Sequence, residues 1–476
     1  SEERARGLDD TEDLASPGIL RWDLTRGDAL CIFETDYAMS DEPAGFSRGN
    51  SAVTKSVAAR YQRYREDEQT RRARFPSRLH RSADAYLVKR GQGKTIIAGY
   101  PWFTDWGRDT FIALPGLCLA TGRVDDARDI LLAWAGTVSA GMVPNRFPDS
   151  GESPEFNAVD ASLWYVVAVH EYLQTPGNAV DRAVRDRLRE AVEEILAGYS
   201  AGTRFKIRSD DDGLLAAGVP GVQLTWTDAK VDDWIVTPRI GKPVEVQALW
   251  LNALHVGTQL ITGGQAARWG QLFERGRASF RARFWYEAGG YLHDVVDVDH
   301  RPATTDSTFR PNQIFAVGGL PLSLLEGAQA RRVVDAVEAR LFTPLGLRSL
   351  APGLPGYAPR YEGGVRQRDG AYHEGTVWPW LMGPFVEAWI RVRGGTSEAK
   401  RAARERFLAP LLRHLDEAGL GHVSEIADGD PPHTPRGCPF QAWSVGELLR
   451  LMHGVLREGN MEPITPGDPN ARQPSR

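Results

Sequence analysis

The chain has 476 residues, 42% of them hydrophobic and 25% charged, with a formal net charge of -5, the balance of an ordinary globular protein. Its densest basic run is Arg71–Arg74, so neither nucleic acid nor an anionic membrane surface is expected as a partner. No apolar run reaches the length of a membrane span and no signal peptide opens the sequence, which predicts a cytoplasmic protein.

In chain order, residues 1–16 are acidic and polar. Leu20–Asp23 and Asp28–Thr35 then alternate or run apolar as strands do. Two short strands do not make a stable sheet alone, so residues 1–50 read as residual strands of an N-terminal β domain, or a linker, in a chain that begins partway through a larger protein. Residues 51–78 read as a helical linker, charged and unbroken by proline over 52–74. From Leu79 the apolar residues recur at helical spacing over 79–90, 107–121, 124–139, 160–174, 181–199, 245–262, 265–285, 322–326, 328–341, 374–393, 397–418 and 441–457. Asn178, with Asp181 three residues on, and Thr396, with Glu398 in the first turn, read as helix starts. Residues 203–217 read as a hairpin around a DDDG turn. A dozen helices joined by Gly/Pro-rich loops predict an all-α fold, an (α/α)6 barrel over 79–458. A helical solenoid is the rival, but no repeat of fixed period is visible. Residues 459–476 are rich in Pro, Gly and polar residues and read as a disordered tail.

Cys31, Cys118 and Cys438 are far apart and lack any CxxC spacing, so neither a disulfide framework nor a zinc site is expected. No cofactor is called for, and nothing in the pattern sets an oligomeric state. Many of the 14 tryptophans stand beside acids, amides or glycines, a placement that suits carbohydrate. Five polar–aromatic clusters follow. The first, PWFTDWGRDTFIALPGL, carries Trp102, Asp105, Trp106, Arg108 and Asp109. Indole faces take the apolar face of a sugar ring, and the charged set takes its hydroxyls. A buried Arg–Asp pair steadying a loop is the plainer reading. The second, Gly141–Asp160, holds Asn145, Arg146, Asp149 and Asp160, with Trp164 just after. Turn chemistry accounts for its Asn, Pro and Gly but does not call for Arg146 or Trp164.

The third cluster, Leu224–Arg239, sets Asp228 two residues after Trp226. A carboxyl beside an indole is a setting that keeps a proton available, although a helix cap fits too, and Asp232 and Asp233 are rival carboxyls. Glu245 and Gln247 follow at the next helix start, where a sugar-facing amide fits. The fourth, RDGAYHEGTVWPW, holds His373, Glu374, Trp378 and Trp380. A His–Glu pair suggests metal, but no matching ligand spacing occurs elsewhere. The fifth, VSEIADGDPPHTPRGCPFQAWS, holds Glu425 in a small, apolar context, turn-like Asp428 and Asp430, and Gln441 and Trp443 at the last helix start. No Ser–His–Asp order, P-loop or dinucleotide fingerprint stands out.

Taken together, PWFTDWGRDTFIALPGL, VPNRFPDSGESPEFNAVDASLW, GVQLTWTDAKVDDWIVTPRIGKPVEVQALW, FRPNQIFAV, GLRSLAP, GAYHEGTVWPW and SEIADGDPPHTPRGCPFQAWS resemble the C-terminal glucosidase domain of prokaryotic-type glycogen debranching enzymes, the amylo-α-1,6-glucosidases. The resemblance implies a glucoamylase-like (α/α)6 barrel and inverting hydrolysis of a terminal α-glucosidic link in a glycogen-type glucan. It implies Asp228 of TWTDAK as general acid, Glu425 of SEIADGD as general base, and Arg108 and Asp109 as holders of the terminal glucose. Trp102, Asp105, Trp106, Asn145, Arg146, Asp160, Trp164, Trp226, Gln247, His373, Glu374, Trp378, Gln441 and Trp443 complete the expected sugar-binding set. Glu374 stands where the family pattern has Gln and so adds a carboxylate. An exo-glucosidase on other α-links and a non-catalytic glucan-binding module are the alternatives. An inverting phosphorolytic enzyme, which needs no base, is disfavoured by Glu425.

Overall fold

The computed structural model describes residues 18–26, 29–31, 51–147 and 153–457. The expectations for 1–17, for 32–50 and for the tail at 459–476 fall outside them. Contacts divide the chain into two compact units, Ser1–Arg81 and Ser82–Arg476. In the first, the strand expected at Leu20–Asp23 is not formed. The Asp23 carboxylate instead accepts from the Thr25 backbone N–H (3.1 Å) and hydroxyl (2.5 Å). That local cap turns the chain into a 3-10 turn, Leu24–Arg26. Helix α1 (Ser51–Ala73) shows no apolar stripe, and its described side chains lie almost wholly in solvent.

After α2 (Arg78–Asp84) come α3 (Gly107–Leu114), α4 (Val124–Ala135), α5 (Ala161–Gln174), α6 (Arg182–Ala201), α7 (Val244–Leu260), α8 (Gly264–Arg283), α9 (Gly327–Leu341), α10 (Val365–Ala371), α11 (Met382–Arg391), α12 (Ser397–Ala403), α13 (Ala409–Glu417) and α14 (Ala442–Arg450). Two kinds of helix are visible. All eight residues of α3 are buried, and α7 is buried from Val244 through Leu254, as suits helices enclosed by others. In contrast, α6 buries only Leu188, Ala191, Val192, Ile195, Leu196 and Tyr199. That is one stripe at helical spacing, the mark of an outer layer. The enclosed elements pack in a closed cycle: α3 on α5, α5 on α7, α7 on the 3-10 turn Pro311–Ala316, that turn on α11, α11 on α14, and α14 back on α3.

Two features close the cycle. Gly99–Tyr100 pairs antiparallel with Phe440–Gln441, placing the starts of α3 and α14 side by side. Where the helices cross, their backbones touch. A Cβ on Gly116 would fall 1.7 Å from the Gly446 carbonyl oxygen, and one on Gly446 would fall 2.8 Å from that of Ala113.

Local departures from the expected helices have local causes. The run 79–90 stops at Asp84 and becomes a hairpin, Leu87–Arg90 with Gly93–Ile96, turned by Gly91 at φ 56°, where glycine carries no Cβ penalty. Residues 322–326 form no helix, because the Leu324 and Leu325 N–H groups both donate to the Ala316 carbonyl. The run 374–393 is split. Val377–Trp378 joins a five-stranded antiparallel sheet with Phe342–Thr343, Gly346–Arg348, Ile426–Ala427 and Pro435–Arg436, and only then does α11 begin. At α6 the cap is Asp181, accepting from the Ala183 and Val184 N–H groups (2.7 and 3.2 Å). The Asn178 amide goes back to the Tyr172 carbonyl. Thr396 does cap α12, through the Ala399 N–H at 3.1 Å. The expected hairpin forms with Arg208–Ser209 against Leu215–Ala216.

Candidate active site

Loops at one end of the enclosed helices surround a cavity of about 220 Å³. Trp106, Arg108 and Asp109 reach it from the start of α3, Trp226 and Asp228 from the TWTD segment, Tyr372 from the turn after α10, Trp378 from strand Val377–Trp378, Glu425 from the residue before strand Ile426–Ala427, and Gln441 and Trp443 from the start of α14. Asn145 also lines it. Asn145 is seated because the Gly107 N–H donates to its carbonyl at 2.8 Å, and Gly107 has no Cβ to strike the Pro144 carbonyl 2.6 Å away.

The TWTD segment is pinned from below by a buried polar network. The Trp226 indole N–H donates to Asn312 Oδ1 (2.7 Å), and the Asn312 amide donates to Asp294 Oδ1 (2.8 Å). Arg239 then binds Asp294 (2.7 and 3.0 Å) and both oxygens of Glu245. Arg239 is buried, and its guanidinium is held charged against desolvation by those two carboxylates. Burial of this kind persists only when every partner is paired, so the network fixes Trp226, and with it Asp228, from behind.

Arg108 organises the cavity floor. Its Nε donates to Asp160 Oδ2 and its Nη1 to Asp228 Oδ2, both at 2.9 Å. Asp228 is surrounded by protein yet opens onto the cavity, with 31% of its side chain accessible. Desolvation raises its pKa, and the Arg108 guanidinium opposes that rise without cancelling it. Asp109 is more perturbed. Burial pushes it up to about 8, Arg108 pulls the other way, and the nearby Asp228 and Glu425 add to the rise. The Gln441 amide donates to Asp109 Oδ1 at 3.2 Å.

Both oxygens of Glu425 are held. The Tyr372 hydroxyl donates to Oε1, and the Cys438 backbone N–H donates to Oε2 at 2.8 Å. The turn that delivers this N–H needs Gly437, at φ 66°, where a Cβ would meet Glu425 Oε2 at 2.4 Å. Tyr372 keeps its proton because burial, then the Glu425 charge, raise its pKa well above the ordinary value. Two carboxyl groups lining one cavity, one of them with its pKa raised by desolvation, can support acid–base chemistry on a bond lying between them.

A family model described as amylo-alpha-1,6-glucosidase matches residues 81–450. The chain belongs to the amylo-α-1,6-glucosidase family. It is thereby a glycoside hydrolase. Among curated proteins, a glycogen debranching enzyme of Saccharomyces cerevisiae is 25% identical across 76% of this chain. The chain spans only 30% of that relative's length. Among solved structures, the GH63 mannosylglycerate hydrolase of Thermus thermophilus, in complex with Tris, has a similar fold. Its TM-score is 0.56 at 15% identity, over 78% of this chain and 99% of that one.

Within this glucosidase-family fold several of the expected sugar-binding residues stand away from the cavity. Asp105 is buried and bound by Arg90 and by the Thr95 hydroxyl (3.1 Å). Asp160 lies behind Arg108. Gln247 bonds the Leu215 N–H and carbonyl (2.7 and 2.9 Å), tying the 208–216 hairpin to α7 rather than facing a ligand. Both oxygens of Glu374 accept from Arg310 Nη2 at 2.9 Å, and Oε1 also accepts from the Thr237 hydroxyl at 2.6 Å. That pairing leaves Glu425 without a carboxylate competitor from position 374. His373 stacks on Trp378 at 4.8 Å and is kept neutral by burial and by the charges of Arg310 and Arg108. Trp164 packs edge-on against Phe315. Arg146 pairs with Glu155 at 2.7 Å and lies 5.6 Å from the Trp106 ring, outside the lining, as does Trp102. Conversely, Phe103, Glu155, Asn157, Gln223 and Tyr372 line the cavity although sequence reasoning does not single them out. Each lies in or next to one of the five clusters, so adjacency is the available signal.

Proposed function

We propose that the chain removes single glucose residues from α-1,6 branch stubs of glycogen-type glucans by inverting hydrolysis, with residues 79–458 as an (α/α)6 catalytic domain. The closed cycle of enclosed helices and the fold likeness to a GH63 hydrolase support the barrel. The debranching relative supports the substrate. The observation that carries the chemistry is that Asp228 and Glu425, far apart in sequence, line one cavity together with Arg108, Asp109 and four indoles.

In this reading the terminal glucose lies against Trp106, Trp378 and Trp443, with hydroxyls on Asp109 and Arg108. Asp228, its pKa raised by burial, gives its proton to the glycosidic oxygen as the C1–O bond breaks. Glu425, oriented by Tyr372 and the Cys438 N–H, takes a proton from water attacking C1 on the opposite face. Inversion calls for a carboxyl separation of about 6.5–9.5 Å, room for that water.

Asp228→Asn and Glu425→Gln should each lose on the order of 10²–10⁴-fold in kcat while unfolding like the wild type. Full activity in either variant removes that residue from its role. NMR of the first-formed glucose should show the β-anomer; α-glucose would mean retention. Side-by-side glucose release from panose, isomaltooligosaccharide, maltooligosaccharide and phosphorylase-limit dextrin should favour the α-1,6 stubs. Preference for maltooligosaccharide would assign the α-1,4 alternative.

A further inference from the structure

Trp234 has no part in the chemistry above, yet the residue is 37% exposed. It stands on the hairpin in which Trp234–Ile235 pairs with Lys230–Val231, a hairpin that begins two residues after Asp228. The hairpin packs on α10, the short helix that leads into Tyr372. Arg366 of α10 lies 4.7 Å from the indole centroid. The edge of the six-membered ring abuts Gly370, where a Cβ would come within 3.0 Å. Just before Trp234 in the chain, the hairpin turn holds exposed Asp232, at φ 52°, and exposed Asp233. No other ring or cation among the described residues contacts the indole.

The Arg366 guanidinium lies over one face of this ring and Gly370 fixes its edge, so the surface on offer is the opposite face, on a hairpin whose turn holds two exposed acidic residues. That combination takes the apolar face of a pyranose and its hydroxyls together. Its position gives it a direction. Gly370 is two Cα steps, at most about 7.6 Å, from Tyr372, which holds Glu425. Val231, the register partner of Trp234, is three residues from Asp228. The indole therefore bridges the segment carrying the acid and the helix leading to the base's partner. In the reading proposed above, Asp228 protonates the leaving oxygen, so a chain attached to that oxygen departs on the side of Asp228 and its hairpin.

We propose that Trp234 is a stacking platform for a glucose unit of the leaving α-glucan chain, so that the protein grips the branch-bearing chain as well as the terminal glucose. The direction of the platform rests on the hydrolytic reading; its ligand class does not.

Trp234→Ala and Trp234→Phe are compared with wild type on phosphorylase-limit dextrin and on p-nitrophenyl α-glucoside, whose leaving group carries no sugar. In parallel, each is run on native gels containing glycogen. Loss of one ring stack predicts about a fivefold to tenfold fall in kcat/KM on the dextrin, mainly through KM, with a smaller fall on the aryl glucoside. The Ala variant should lose retardation by glycogen and the Phe variant should recover most of it. Equal losses on both substrates would make Trp234 a packing residue for the hairpin and overturn the platform, as would unchanged dextrin kinetics and retardation. A wild type that releases no glucose, but whose retardation disappears in Trp234→Ala, would overturn the hydrolytic reading and keep the platform.

Discussion

Burial, with Asp228 and Glu425 nearby, pushes the carboxyl of Asp109 up to about 8, against the pull of Arg108. The unfolded value of Asp109 is about 3.9. Between those two values the folded chain binds a proton that the unfolded chain has lost, so this group's contribution to stability is full below about pH 4 and declines as pH rises toward 8. Asp109→Asn removes that decline. The Tm of the variant minus that of the wild type should grow from pH 5 to pH 8 and level off above; a difference that stays constant across this range would show that Asp109 is already ionised there. Residue identity was legible in the sequence at Arg108, Asp109, Trp226, Asp228 and Glu425, where charge and aromatic neighbours coincide. Gln247 and Glu374, by contrast, do not line the cavity. An amide or carboxylate at a helix start looks ligand-facing until its partner is known. Here the partners are the Leu215 backbone and Arg310, 32 and 64 residues away.

Among elements, α14 is closely packed on α3 and on the turn Pro115–Leu119 that continues it. Gly116→Ala forces a Cβ onto the Gly446 carbonyl, 1.7 Å away, and backbone cannot yield as a side-chain end can. Overpacking of this kind costs about 1–3 kcal/mol, so the unfolding free energy from urea melts should fall by an amount in that range and the midpoint should drop with it. An unchanged midpoint would show that the two helices separate freely. The long periodic runs that became α5 to α9 were readable because burial on one or more faces repeats every 3.6 residues. The short elements near the cavity were not. Val377–Trp378 is a strand because Leu347 and Ala427 offer hydrogen bonds across it, a non-local fact that no window of neighbouring residues contains.

For the second unit as a whole, closure of the helical cycle depends on its last helix. Truncation after Gly437 deletes Phe440–Gln441 and α14, removing buried Trp443, Val445, Leu448 and Leu449. At about 1.5–3 kcal/mol per buried apolar side chain, those four alone approach the entire stability of a typical domain, about 5–15 kcal/mol. Calorimetry of the truncated chain should show no cooperative transition. A retained sharp transition would mean that the enclosed helices stand without the closing one.

What the amino-acid order determined by itself is the helical periodicity, the turn glycines and the residue types of the polar–aromatic clusters, because these depend on neighbours a few positions away. Which carboxylates face the cavity, which are spent on Arg90, Arg239 or Arg310, and which backbone N–H holds Glu425 were decided only by the tertiary structure. The reason is physical. A buried charge is stabilised by whichever opposite charge or donor the fold brings within hydrogen-bond reach, and in this chain that partner is usually tens of residues away.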